Sequence, residues 1–293
     1  MKIVTLAAGL ASHRIDTSTS VQCTGGLQFR GKARLGCTGN HGWTSLYPAF
    51  AVSCNAYFGQ LGIWVGHESM AKWSSRFGLG ERTGIDLPGE SDGNVDGPRT
   101  QEAIYRRFGK EYTGWYHGDS ANMAIGQGGM LVTPLQLAVA AAAIANGGTV
   151  IAPTVVRSID SSGEASVAPR RAERRRRSLG LDADQLATIR RAMGEVVTSN
   201  RGTSRAAQLR GLDIRGKSGS AESRGKGSPT HAWFVCTAAK SGSKPSLAVA
   251  VWVDAGGKHL HGGSHAAPIA RKVIARYFGI VDKGALTAAA VRD

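Results

Sequence analysis

Lys217-Ser218-Gly219 sets a cation, a hydroxyl and a residue without a side chain in a row, a combination that can hold an anion against a strand while leaving its face clear. After a Gly-rich loop the apolar run from His231 to Cys236 follows, so these residues read as the first strand of a hairpin. Two further polar stretches lie far upstream. Ser53 and Asn55 stand just before Ala56-Tyr57-Phe58, and Lys2 stands at the N-terminus of the helical pattern that opens the chain. A desolvated lysine can accept a proton, a serine can pass one on, and an amide can donate and accept together. If the three stretches share one cleft, they offer proton relay beside an anion site.

The elements that must position them follow from periodicity. Ile3, Leu6, Ala7 and Leu10 recur at the steps of one helix face, with Lys2 at its start. From Cys23 to Gly42 the Gly and Arg content is high and no period holds, which predicts a surface loop. Thr44 to Val52 reads as a short helix or turn that delivers Ser53 and Asn55. Phe58, Leu61, Trp64 and Val65 mark a second helix, and Glu68 to Phe77 a third that stops at Gly78. Gly80 to Gly97 predicts a long docked loop. Thr133-Pro134 is a cap with Pro at the first helical position, and Asp182 with Gln185 has the spacing of a capping box. Beyond Lys217 the period changes: His231 to Ala238 and Leu247 to Asp254 read as strands joined through Lys240 to Pro245. A final helix is expected over Ala267 to Phe278, with Ile269, Val273, Ile274 and Phe278 on one face. Helices, three consecutive strands and a helix make an α/β (α+β) arrangement with an antiparallel central sheet flanked by helices.

The 293 residues, 42% hydrophobic, suffice for a sizeable core, and no apolar run approaches the roughly 18 residues of a membrane span. The net charge of +15 is concentrated between Arg170 and Arg177. No aromatic residues interleave with those arginines and no nucleic-acid motif lies near them, so nucleic acid is not the expected partner and a solvated loop is. Cys54 and Cys236 stand in apolar surroundings. Cys23 and Cys37 flank the Gly-rich loop at a spacing that suits a bridge or nothing; with His41 they offer three zinc ligands, one short of a structural set. The expectation is therefore no metal and no cofactor.

The motifs in order resemble the transpeptidase domain of class B penicillin-binding proteins, enzymes that cross-link the cell wall. The stretches that carry the resemblance are Met1-Lys2-Ile3-Val4-Thr5-Leu6, Ser53-Cys54-Asn55-Ala56-Tyr57-Phe58, Thr83-Gly84-Ile85-Asp86-Leu87-Pro88-Gly89-Glu90, Gly126-Gln127-Gly128 with Thr133-Pro134-Leu135-Gln136, Lys217-Ser218-Gly219-Ser220-Ala221-Glu222, and His231-Ala232-Trp233-Phe234. Penicillin-binding proteins and serine β-lactamases share S-x-x-K, an S-x-N type motif and K-T-G, and of the first only Lys2 stands in this sequence. The resemblance implies a β-lactamase/transpeptidase-like fold over residues 1–280, with its N-terminal strands missing here and 281–293 as a tail.

What the resemblance implies for chemistry is serine acyl transfer: attack on the D-Ala-D-Ala bond of a peptidoglycan stem peptide, then transfer to a neighbouring strand's amine. Lys2 is then the general base, its pKa lowered by burial and by Lys217, and Ser53 is a relay to the leaving amine. Asn55 holds the substrate backbone, Lys217 and Ser218 bind the terminal carboxylate, Gly219 keeps the strand face open, and the Ser220 N–H forms half of an oxyanion hole. By the family pattern the nucleophile lies two positions before Met1, so the sequence is expected to begin inside S-x-x-K and to catalyse nothing as given. Expected partners are stem peptides, β-lactams and cell-wall synthesis membrane proteins; the parent protein is expected at the extracytoplasmic face of the cytoplasmic membrane, with its anchor upstream. Two alternatives share the motifs: a non-catalytic module in the cell-wall machinery, and a β-lactam sensor or serine β-lactamase relative.

Overall fold

The computed structural model describes residues 1–29, 34–156, 176–223 and 227–282. The opening helix α1 (Lys2–Ala11) is central, and it is buried on nearly every side: Lys2, Val4, Thr5, Leu6, Ala7, Ala8, Gly9 and Leu10 are all covered. The sequence expectation of one buried face is corrected by this packing. Small residues at Ala7, Ala8 and Gly9 let neighbours close in from several directions, and a Cβ at Gly9 would stand 2.8 Å from the Leu61 side chain.

The chain from Ser20 to Ser45, which holds the loop expected from Cys23 to Gly42, carries strands among its described residues. It forms two antiparallel pairs, β1 (Ser20–Cys23) and β2 (Gly26–Gln28) pairing with β4 (Gly42–Ser45) and β3 (Arg34–Gly36) respectively. Strands of three or four residues, two of them half exposed or more, carry too little alternation to be read from sequence. The short helix α2 (Leu46–Ala51) ends in a turn at Ser53, and α3 (Asn55–Val65) and α4 (His67–Arg76) follow. Helices α5 (Pro98–Arg107) and α6 (His117–Ile125) lie beyond the long loop, which docks through antiparallel bonds between Asn94 and Leu131. Helix α7 (Pro134–Ala145) starts at the expected Thr133 cap, where the Gln136 side chain completes a capping box. Strands β5 (Thr149–Ile151) and β6 (Arg176–Ser178) pair, so Arg176 and Arg177 belong to a strand, while Arg170 lies outside the described residues. Asp182 and Gln185 form the expected capping box of α8 (Ala183–Thr198).

The three strands beyond the helices are β7 (Leu212–Glu222), β8 (Thr230–Lys240) and β9 (Leu247–Val253), antiparallel in the order β7-β8-β9. Their register pairs Lys217 with Val235, Ser218 with Phe234 and Gly219 with Trp233. At Gly216 the sheet leaves no room for a side chain: a Cβ there would lie 2.7 Å from the Val235 carbonyl oxygen. Helix α9 (Ala267–Tyr277) covers the sheet through Ala267, Ala270, Ile274 and Ala275. Ile269 and Val273, expected on the buried face, are 44% and 45% exposed, because small alanines bring the helix closer to the sheet than larger side chains would. One apolar core gathers α1, α2, α3 and α8, and a second lies between the sheet and α9. The cleft runs along the seam between them. No helix among the described residues is long and apolar enough to cross a membrane.

Candidate active site

A cavity of about 960 Å³ opens at that seam, and Lys2, Ser53, Asn55, Lys217, Ser218, Gly219 and Ser220 all line it. The three distant stretches therefore meet. Because α1 begins inside the core, the first turn carries the Lys2 ammonium to the cleft floor, where it donates to Ser53 Oγ at 2.8 Å, the Ser53 carbonyl at 2.9 Å and Asn55 Oδ1 at 2.7 Å. Those three acceptors match the three N–H donors of the side chain.

Ser53 reaches this position through a left-handed backbone, φ 57°, which a residue with a Cβ adopts at a cost of about 1–3 kcal/mol. The strain is held by the Cys54 N–H bond to Ala49 O at 2.8 Å, the Ser53 N–H bond to Phe50 O at 3.1 Å, and Lys2 on both Ser53 oxygens. Asn55 then opens α3, its amide Nδ2 donating to Gly36 O at 2.9 Å. The Gly36 contact comes from the very segment the sequence reads as loop.

From the sheet side, Lys217 is 6% exposed, with its ammonium donating to the Ser218 carbonyl at 3.0 Å and lying 5.7 Å from the Phe50 ring centre. Burial brings the Lys2 pKa down to about 8, with Cys37 and Cys54 opposing the shift. Burial also lowers Lys217 well below the usual lysine range, and the Lys2 charge adds to it. Burial of Lys2 is thus as expected; the repulsion between the two lysines is felt at Lys217.

Two contributors escape sequence reasoning. Thr203 bonds its hydroxyl to Ser218 Oγ at 2.7 Å and lines the cavity, doubling the hydroxyls beside Lys217. Its signal is Gly202, which follows α8 and has no room for a Cβ, 2.5 Å from Val196 O. Gly262 is the second: a Cβ there would stand 2.5 Å from Gly219 O, so the turn over 262–266 braces β7 by direct backbone approach. Gln127, in the expected tight turn, reaches across the cleft to Ser220 O at 3.4 Å.

Close to Asn55, Cys23, Cys37, His41 and Cys54 bring their ligand atoms within 4.8 Å of one another. Cys23 and Cys37 are free thiols in this structure, and Cys54 supplies the fourth donor that sequence spacing lacks. The expectation of no metal rested on three ligands and is corrected on that point, because Cys54 belongs to the α3 cap and only folding brings it to the others.

Residues 1–275 match the family described as the penicillin binding protein transpeptidase domain. The peptidoglycan D,D-transpeptidase MrdA of Acinetobacter baumannii is 32% identical over 283 residues, covering 90% of this chain and 39% of that protein. Among solved structures, the chain is similar to Pseudomonas aeruginosa PBP2 in complex with WCK 5153, at 28% identity and a TM-score of 0.75 over 94% of this chain and 57% of that one. It is also similar to penicillin-binding protein A from M. tuberculosis as a ceftriaxone acyl-enzyme complex, at 27% identity and a TM-score of 0.73 over 93% of this chain and 58% of that one. The chain spans 39% to 43% of the length of the first three curated relatives it matches.

Proposed function

The chain belongs to the penicillin-binding protein transpeptidase domain family, and from that membership we propose that residues 1–280 form the acyl-transfer site of a peptidoglycan D,D-transpeptidase. The observation that carries this reading is the Lys2 ammonium bonded to Ser53 and Asn55 opposite Lys217 and Ser218 in a single cleft. In the family spacing the attacking serine stands two positions before Met1, and the reaction is proposed for a chain with a serine at that position.

Each step has a group suited to it. Lys2, neutral above about 8, takes the proton of the attacking hydroxyl. Ser53, 2.8 Å from Lys2, passes a proton to the leaving D-alanine amine. Lys217, Ser218 and Thr203 bind the terminal carboxylate, where a desolvated ammonium attracts an anion more strongly than it would in water. The oxyanion rests on the Ser220 N–H and on the nucleophile's own N–H. Asn55 holds the peptide backbone, and Gly219 leaves the β7 face open for the substrate to lie along it. An amine from a second stem peptide then takes the acyl group, with Lys2 as the base again. β-lactams enter as mimics of the same peptide, and the site of action is outside the cytoplasmic membrane beside other cell-wall proteins.

Fluorescent penicillin labelling tests this. A chain extended by Ser-Thr before Met1 acquires a covalent adduct that mass spectrometry places on the added serine, and the chain as given, with the same cooperative melt, does not label. An extended chain that folds and never labels supports the non-catalytic module instead. An adduct on Ser53 or Cys54 overturns the assignment of the nucleophile.

A further inference from the structure

Asp96 is only 2% exposed, and no lysine, arginine or histidine pairs with it among the described residues. A buried carboxylate is costly unless N–H donors surround it. Such donors are present: Oδ1 accepts from the Gly97 N–H at 2.9 Å, Oδ2 from the Gly129 N–H at 2.8 Å, and the two oxygens from Gln101 Nε2 at 2.9 and 3.0 Å. Burial raises the Asp96 pKa above the ordinary carboxylate value, and these donors pull against it.

The carboxylate and the turn after α6 are fitted to each other. Gly128 has a left-handed backbone, φ 78°, and a Cβ there would collide with Asp96 Oδ2; one at Gly129 would lie 2.6 Å from Oδ1. Asn94 braces the same turn, its Nδ2 donating to Gly129 O at 2.6 Å and its backbone exchanging bonds of 2.7 and 2.9 Å with Leu131. Asp96 does not line the cleft, but Gln127, Met130, Leu131 and Val132 of the turn do, and Gln127 Nε2 reaches Ser220 O at 3.4 Å.

That carbonyl stands where an extended peptide would need it. Strand β7 is at the edge of its sheet, and backbone groups two residues apart on a strand point to the same side. The Ser218 and Ser220 carbonyls accordingly both meet cleft side chains, Lys217 and Gln127. We propose that Asp96 is a positioning residue: by holding Gly129 it sets Gln127 over β7, where the Gln127 amide and the Ser220 carbonyl together receive the backbone amide of the acyl-donor peptide. This assignment rests on the acyl-transfer reading. The Ser220 oxygen has a second lone pair for the peptide N–H, and Gln127 Oε1 is a further acceptor beside it. Donors that carry an acyl amide next to the reacting carbonyl are therefore preferred over donors that lack one.

Two β-lactams compared on the chain extended by Ser-Thr test this: benzylpenicillin, whose side chain carries such an amide, and a carbapenem, which has none at that position. Asp96→Ala should slow acylation by benzylpenicillin about 3–10-fold, the scale of one hydrogen bond, and keep the carbapenem rate within about two-fold. Gln127→Ala, at a half-buried position outside both cores, should lower the ratio of the two rates by the same factor. The double variant should lower it no further than either single one, since the two residues act in series. Asp96→Asn, which keeps an oxygen for the Gly129 N–H, should restore most of the ratio. A side chain that served only to hold the fold would lower the melt and slow both compounds alike. Should Asp96→Ala fail to fold, Asp96→Ser carries the same comparison, and Gln127→Ala is read by itself. An unchanged ratio in Gln127→Ala, or losses that add in the double variant, overturns the proposal. An extended wild-type chain that folds and labels with neither compound refutes the acyl-transfer reading and the positioning role with it. Labelling of the wild-type chain with a ratio that every variant keeps refutes the positioning role alone.

Discussion

Lys2, at the start of a helix inside the larger core, makes three hydrogen bonds of 2.7–2.9 Å to Ser53 and Asn55, whereas Lys217, on a strand of the sheet, rests against the Phe50 ring and bonds to the Ser218 carbonyl. Both are buried and reach the same cleft. In the proposed acyl transfer, the difference teaches how one residue type can be given two tasks. An ammonium whose donors are engaged by two fixed side chains and a backbone carbonyl is poised to exchange a proton with the hydroxyl among them. An ammonium that has lost water and gained mostly an aromatic face keeps its strongest attraction for an anion that arrives later.

The largest expected effect separates the two tasks. In the chain extended by Ser-Thr, Lys2→Met should slow β-lactam acylation by about 10²–10⁴-fold, the usual contribution of a general base, while leaving reversible affinity nearly unchanged. Stopped-flow labelling that resolves binding from acylation checks it; loss confined to the binding step would reverse the assignment of the two lysines.

Lys217→Gln should do the opposite, weakening reversible binding by about 10–100-fold, in line with roughly 1.5–3 kcal/mol for a charge-assisted hydrogen bond, with a smaller effect on the acylation step. Equal losses in both steps would mean that the two lysines act as one unit.

The pH profile sharpens the contrast because the two groups are needed in opposite states. Lys2 works as a base only when neutral, and burial brings it down to about 8, so the acylation rate should rise with pH through about 8 and level off above it. Lys217 must be charged to hold a carboxylate, and its lowered pKa means that affinity falls on the alkaline side. Initial labelling rates and affinities measured across the range should therefore move in opposite directions, and parallel curves would contradict the division of roles.

The smallest effect concerns Thr203. Removing its hydroxyl in Thr203→Val deletes the 2.7 Å bond to Ser218 and should reduce affinity a few-fold, the scale of about 0.5–1.5 kcal/mol for one neutral hydrogen bond, without shifting the pH profile. Competition binding measures it, and an unchanged affinity would remove Thr203 from the carboxylate site.

Much of the scaffold was legible because its signals are local. Thr133 and Asp182 announce helix starts with side chains that bond three residues ahead, and the Val-rich runs on either side of Lys240 to Pro245 announce a hairpin. The strand pairs between Ser20 and Ser45 were not legible, since their strands are short and the outer pair, β1 with β4, is separated along the chain by the inner one. The buried face of α9 was misread for a related reason: large apolar residues mark a helix face only when the neighbour leaves room for them, and here the sheet admits alanines.

By itself the sequence determined the motif order, the caps, the three-strand succession and the residue types able to relay a proton and hold a carboxylate, because each of these depends on neighbours within a few positions. Only the tertiary structure decided that Lys2 bonds Ser53 and Asn55 while Lys217 does not, that Thr203 joins Ser218, and that Cys54 completes a four-ligand cluster with Cys23, Cys37 and His41. Those are distances between atoms up to 53 residues apart along the chain, and such distances exist only once burial of the two cores has set the seam between them.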